Sequence, residues 1–224
     1  MYDRPEVSRI FLEGAKRLGL PVLAGVSDVA SFNLVVKYGH SAHMIDNSPL
    51  GSKWNEIATI ALDYNWSHLF VSGDDNLYHN GILNLFDRYQ HHMFAGLRNI
   101  TFVNPIQKKA ISMKYKKNPP IAIGTGRLIN RVAFIEAGKQ KEKIVLWDYR
   151  AERELDFSND LYLLQGGYMP SLMDGDDTLC IDLKTGSNIW SFENFASRGE
   201  SVDYQEAISW LGDTEKELIS NFNA

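Results

Sequence analysis

Apolar positions recur close to every 3.6 residues from 6 to 18, where Val7, Ile10, Phe11, Ala15 and Leu18 are interleaved with Glu6, Arg9, Glu13, Lys16 and Arg17. This pattern predicts an amphipathic helix, opened by Pro5 and closed near Gly19. The apolar run from Pro21 to Val26 reads as a short buried strand that ends on Ser27 and Asp28. Residues 30–38 read as a helix stopped by Gly39, and His43 to Ile45 as a weak strand ending on Asp46 and Asn47. A further helix over 50–64 carries Trp54, Ile57, Ala58, Ala61 and Leu62 on one side. It feeds Leu69, Phe70 and Val71, which stop abruptly at Ser72, Gly73, Asp74, Asp75 and Asn76. Three large apolar residues in succession suit a strand buried on both faces, and Gly73 lets the chain turn so that the acids emerge at the sheet edge.

Beyond that corner, Ile82, Leu83, Leu85, Phe86 and Tyr89 predict a helix and residues 100–103 a strand. Ile121 to Ile123 precede Gly124, Thr125, Gly126 and Arg127, then a helix with Val132, Ala133 and Ile135 that ends at Gly138. Residues 144–147 read as a strand, 155–164 as a helix, 179–182 as a strand, and 204–222 as one or two surface helices. Alternating helices and short strands predict an α/β fold, a mostly parallel central sheet with crossover helices, in a single domain over 1–224. The chain opens on a helix where such a sheet ordinarily opens on a strand.

Composition narrows the class. With 44% hydrophobic and 23% charged residues, the chain has the balance of a soluble globular protein. No apolar run approaches the roughly 20 residues of a membrane span, and the start lacks the order of a signal peptide, so a cytoplasmic protein is expected. The single cysteine, Cys180, excludes an internal disulfide and reads as a core residue. The net charge of −5 argues against indiscriminate nucleic-acid binding. Lys108, Lys109, Lys114, Lys116, Lys117, Arg127 and Arg131 nevertheless fall in one segment without an acid, which is either a solvated face or an anion-binding rim.

The chemistry centres on Asp74 and Asp75. Adjacent carboxylates repel unless something positive lies between them, and a divalent cation holding a diphosphate is the simplest such group. A solvated turn that caps a helix is the competing reading.

Four features follow in order: Asp28 ending an early strand, Gly51 to Asn55 opening a helix, a strand ending in Asp74, Asp75 and Asn76, and Glu154, Leu155, Asp156 ahead of a later helix. Together they resemble the nucleotide-sugar-dependent glycosyltransferases of the GT-A fold, most similar to the family-two type, over roughly residues 3–190. In that family a first strand ends in Thr or Tyr, a polar residue, Arg and Pro. Tyr2, Asp3, Arg4 and Pro5 are similar to that ending with the strand itself missing, so the sequence is expected to be a shortened form. The resemblance implies a nucleotide-sugar half over about 1–103, an acceptor half over about 104–195 and C-terminal helices over about 200–224.

It also implies roles. Asp28 would meet the base of a uridine. Lys53 and Asn55, on the first turn of a helix, would meet the diphosphate of the donor, unless Lys53 is simply solvated. Asp75 and Asn76 would hold Mn²⁺ or Mg²⁺, and Asp74 would touch ribose or sugar hydroxyls. Asp156 would be the base that deprotonates the acceptor, with Asp160 and Glu154 as competitors, and an inverting outcome is expected. Gly124 to Arg127 would lie beside the donor sugar, with Arg127 on a phosphate or the acceptor, or else form a plain turn. Lys184, Asn188 and Trp190 would belong to a flap over the diphosphate. Asp174 to Asp177 reads as a solvated hairpin turn or a second metal site. The acceptor would be a saccharide, free or lipid-linked, or hydroxymethylated DNA held by the basic segment over 108–131. A nucleotidyltransferase is a second enzyme reading, although no glycine-rich basic loop follows an early strand. A non-catalytic α/β nucleotide-binding module is the third.

Overall fold

The computed structural model describes all residues except 2, 116–121, 153–154, 175–178, 187, 189–190 and 224, with the backbone alone at Asn223. Helix α1 (Pro5–Leu18) is opened by Pro5 and closed by Gly19 at φ 67°, and it buries Val7, Ile10, Leu12, Ala15 and Leu18. Strands β1 (Leu23–Val26) and β2 (Ser41–Met44) pair in parallel across helix α2 (Val29–Lys37). Met1 runs beside β1, its backbone nitrogen donating to Gly25 O and its carbonyl accepting from Ser27 N. Helix α3 (Leu50–Ile60) continues as a 3-10 turn into β3 (His68–Val71). Strand β4 (Asn76–Tyr78), helix α4 (Gly81–Tyr89), and strands β5 (Phe94–Leu97), β6 (Asn99–Asn104), β7 (Lys109–Lys114) and β8 (Arg127–Asn130) follow. Next come α5 (Arg131–Gly138), the hairpin β9 (Lys139–Gln140) with β10 (Lys143–Ile144), α6 (Leu155–Gln165), β11 (Ser171–Met173) and β12 (Cys180–Leu183). The last elements are α7 (Glu193–Ala196), β13 (Glu200–Val202), α8 (Tyr204–Ile208) and α9 (Asp213–Ser220).

The fold is α/β, but its sheets are mixed, which corrects the expectation of a mostly parallel sheet. One sheet has the order β11-β5-β8-β3, in which β8 is antiparallel to both β5 and β3. Another has the order β13-β7-β6-β12-β4, with only β6 and β12 parallel. Two causes defeat the sequence reading. Residues 105–108 are too few for a crossover helix, so β6 and β7 must form a hairpin. The lysines at both ends of β7 also disguise a strand whose interior residues Ala110 and Ile111 are buried. The strand expected over 144–147 is reduced to the two residues of β10.

Helix α1 is anchored to the C-terminus. Arg17 Nε lies 2.8 Å from Glu215 Oε2, Arg17 Nη2 donates to Tyr78 O, and buried Glu215 accepts from Gly212 N at the start of α9. Helix α6 has inverted polarity. It buries Asn159, Asp160 and Leu163, while Phe157, Leu161 and Leu164 are 66%, 45% and 43% exposed. The reason is the buried arginine described below.

The start of α3 packs against residues 148–152. Gly51 N donates to Ala151 O at 2.8 Å, and a Cβ at Gly51 would fall 1.8 Å from Asp148 O. In a free helix Gly→Ala stabilises by about 1 kcal/mol. Here Gly51→Ala is expected to reverse that sign and destabilise by about 1–3 kcal/mol, because the obstacle is backbone. Urea denaturation checks it, and a gain in stability would show that the contact yields.

Candidate functional site

At the end of β3 the chain turns through Gly73, whose N–H donates to Asn76 Oδ1 at 3.0 Å. A Cβ on Gly73 would lie 2.7 Å from Asp75 Oδ1 and 2.8 Å from Asn76 Oδ1, so only glycine allows these two oxygens to gather here. The positive group between the two acids is Arg4. Its guanidinium bonds Asp74 Oδ1 through one nitrogen and lies 3.3 Å from Asp75 Oδ2 through another. Ser8 Oγ donates to Asp74 Oδ2 at 2.6 Å, and Asn188 Nδ2 donates to Asp75 Oδ2 at 2.8 Å. Burial raises the Asp74 pKa, but the amino group of residue 1, Arg4 and Ser8 outweigh it and hold it below the ordinary value. Asp75 Oδ1 has no partner among the described residues.

A third acid faces this pair. Asp182 lies opposite Asn76 in the β12–β4 register, and Lys184 Nζ is 2.8 Å from its Oδ1. Burial first, and then the charge of Asp75, push Asp182 up to about 7. Lys184 Nζ also sits 5.3 Å from the rings of Phe102 and Phe195, which stack on one another. Lys184 is therefore buried at the end of β12, not in a flap, and of the expected flap it is Asn188 that reaches the acids. Trp190 lies outside the described residues, as do Tyr2, Glu154, and Gly175 to Asp177.

A second group forms where the 122–126 loop meets α6. Arg127 is 1% exposed, so its role as a phosphate or acceptor contact is corrected to an internal one. Its Nε donates to Ile123 O and its Nη2 to Ala122 O, while Nη1 bonds Asn159 Oδ1 and lies 3.0 Å from Asp160 Oδ1. A guanidinium has no acceptor and five donors, so it draws polar side chains inward. That demand explains why α6 buries Asn159 and Asp160. Burial pushes Asp160 up to about 6 despite Arg127. Asp156, one turn earlier, is half-buried against Gly124, where a Cβ would come within 2.8 Å of its own Cβ.

Two tyrosines connect the groups. The Tyr78 hydroxyl bonds Ser72 Oγ in the acid-bearing turn and Thr125 Oγ1 in the loop against Asp156. Burial, then the charges of Asp156 and Asp182, push Tyr115 up to about 12, so it lies within electrostatic reach of both. Ser8, Asp182 and Tyr115 carry no local signal of a shared site, and Arg4 carries one only through the resemblance of residues 2–5 to the ending of a family strand. Arg4 is 70 residues from Asp74.

The nucleotide side departs from expectation. Asp28 is the N-cap of α2, accepting from Ser31 N and Ser31 Oγ at 2.7 Å each and from Asp3 N. Lys53 is buried, with Nζ bonded to Met1 O, Ser27 Oγ and Asn47 Oδ1. Asn55 is buried and clamps the backbone of Leu146 and Trp147. The α3 N-terminus, expected to receive a diphosphate, already receives the Glu152 carboxylate, which accepts from Ser48 Oγ and Leu50 N.

Among the described residues the basic segment also forms no single rim. Besides buried Arg127, Arg131 donates to Tyr64 O and Leu62 O beneath Trp66. Lys109 and Lys114 are exposed at opposite ends of β7, and their odd spacing puts them on opposite faces. Lys116 and Lys117 lie outside the described residues. Among the described residues no group of three or more acids, histidines or cysteines is gathered tightly enough to hold an ion unaided, and no helix is long and apolar enough to cross a membrane.

Asp182 yields a pH prediction. Its folded-state value of about 7 lies above the ordinary 3.8, so the folded chain binds this proton more tightly than the unfolded chain. The resulting stabilisation is complete at acid pH and is lost as pH rises from about 4 through about 7. Asp182→Asn is expected to flatten that part of the stability profile, measured by urea denaturation at a series of pH values. An unchanged slope would contradict it.

No protein-family model matches this chain, and no curated protein does.

Proposed function

We propose that the chain is a nucleotide-sugar-dependent glycosyltransferase of the GT-A kind that passes a sugar to a hydroxyl acceptor with inversion. The observation that carries this reading is the Tyr78 hydroxyl, which ties the turn bearing Asp74 and Asp75 to the loop packed against Asp156. Two acid-bearing segments with different surroundings are thereby linked through one hydroxyl. A leaving diphosphate at one end and a proton acceptor at the other are what such a transfer needs.

In this reading the diphosphate end is the corner of Asp74, Asp75 and Asn76. Arg4 stands there in the place of a cation, and the convergence of Asp75 Oδ1 and Asn76 Oδ1 beside Gly73 fits an oxygen-liganded ion whose remaining ligands come from the diphosphate and water. Mn²⁺ or Mg²⁺, when bound, would supply Lewis acidity toward the departing diphosphate. Asp156 takes the proton of the acceptor hydroxyl as its oxygen bonds to the anomeric carbon. The bond from that carbon to the diphosphate oxygen breaks, and its electron pair leaves with the nucleoside diphosphate. Asp160 does not share the role of base, since it is tied to Arg127 and positions α6. The saccharide acceptor is preferred to DNA because, among the described residues, the cations over 108–131 are dispersed or internal. A non-catalytic module is the second reading, favoured by the structural duties of Asp28, Lys53 and Asn55.

Hydrolysis of UDP-sugars without acceptor separates the two, since a binding module releases no UDP. In a responsive enzyme Asp156→Asn is expected to lower turnover about 10²- to 10⁴-fold with donor binding retained. Asp160→Asn is expected to act chiefly on stability, because it leaves a buried guanidinium unpaired. A turnover loss confined to Asp160→Asn would overturn the assignment of the base.

A further inference from the structure

We propose that Arg4 is an internal counter-ion that competes with a divalent cation for Asp74 and Asp75, so that entry of the cation releases the guanidinium from Asp75. The inference rests on the reading of this corner as the diphosphate end of the site. It concerns what Arg4 does there.

The two halves of the Arg4 grip are unequal. Asp74 is held firmly, with Arg4 on one oxygen and Ser8 at 2.6 Å on the other. Asp75 is held loosely, at 3.3 Å, on an oxygen that Asn188 also occupies, and its other oxygen is free among the described residues. The weaker contact is thus to the carboxylate whose free oxygen lies with Asn76 Oδ1 beside Gly73. The charges point the same way. The cations are unevenly shared: the amino group of residue 1 and Lys53 act on Asp74 along with Arg4, whereas among the described residues the ion pair of Asp75 is the 3.3 Å contact with Arg4, and Asp182 faces its own partner, Lys184. Asp75 is thus the less fully answered carboxylate and the one open to a cation, yet a divalent ion beside a fixed guanidinium would be repelled at short range. Relief comes if the guanidinium withdraws. Arg4 is placed to do so, because it is the N-cap residue of α1 and its side chain makes no cap bond. Its side chain is 20% exposed, so a path to solvent is open.

The test is Mn²⁺ alone, titrated into the protein and followed by loss of the free-ion EPR signal. Arg4→Gln is expected to bind Mn²⁺ about tenfold or more tighter than the unaltered chain, with Arg4→Lys between them. Equal or weaker binding by Arg4→Gln, or no binding by either, would overturn the inference. Should Arg4→Gln fail to fold, the unaltered chain decides: on adding Mg²⁺, the Arg4 side-chain N–H resonances should lose their protection from solvent exchange. Unchanged protection at saturating Mg²⁺ would count against displacement. UDP-sugar hydrolysis is scored separately. A chain that hydrolyses donor but shows no Arg4 effect loses this inference and keeps the function. One that shows the Arg4 effect but no hydrolysis does the reverse.

Discussion

The buried guanidinium of Arg127 is the constraint on which the part of the molecule around α6 and the 122–126 loop depends. An arginine without solvent must have its donors answered by protein, and an unanswered one would cost several kcal/mol. Two carbonyls of the 122–126 loop and two side chains of α6 provide the answer. The same contacts set the phase of α6, and that phase puts Asp156 against Gly124. The site geometry is therefore inherited from a satisfied internal charge more than from apolar packing.

The other end of the site has a parallel logic with the opposite sign. There two carboxylates at a strand end require a cation, and a residue near the start of the chain supplies it. Asp182 and Lys184 repeat the arrangement one strand away. Even with Lys184 beside it, burial and the charge of Asp75 push Asp182 up to about 7, so such a pair only partly offsets the pull of these surroundings toward neutrality.

What could be read from sequence follows from how local each signal is. Helices α1 to α4 announced themselves by period and by Pro or Gly punctuation, and β3 by its apolar run and acidic stop. Strand β7 was hidden by its lysines, and β8 was absorbed into the start of the next helix because it is short and follows a glycine turn. The acids at 74, 75 and 156 were visible, whereas their partners Arg4, Ser8, Asn188 and Gly124 are not near them in sequence. Lys53, Asn55 and Arg127 share one physical feature that sequence does not show. Each bonds backbone outside its own helix or strand, and Lys53 the side chains of Ser27 and Asn47 as well.

Helix α6 reverses the usual relation between hydropathy and tolerance. Its outward Phe157, Leu161 and Leu164 are exposed, and its inward Asn159 and Asp160 hold the helix in place beside buried Leu163. A substitution scheme that scores residues by polarity would protect the wrong face. On this helix the polar pair Asn159 and Asp160, which looks like surface, is the part whose loss would leave a buried guanidinium unanswered.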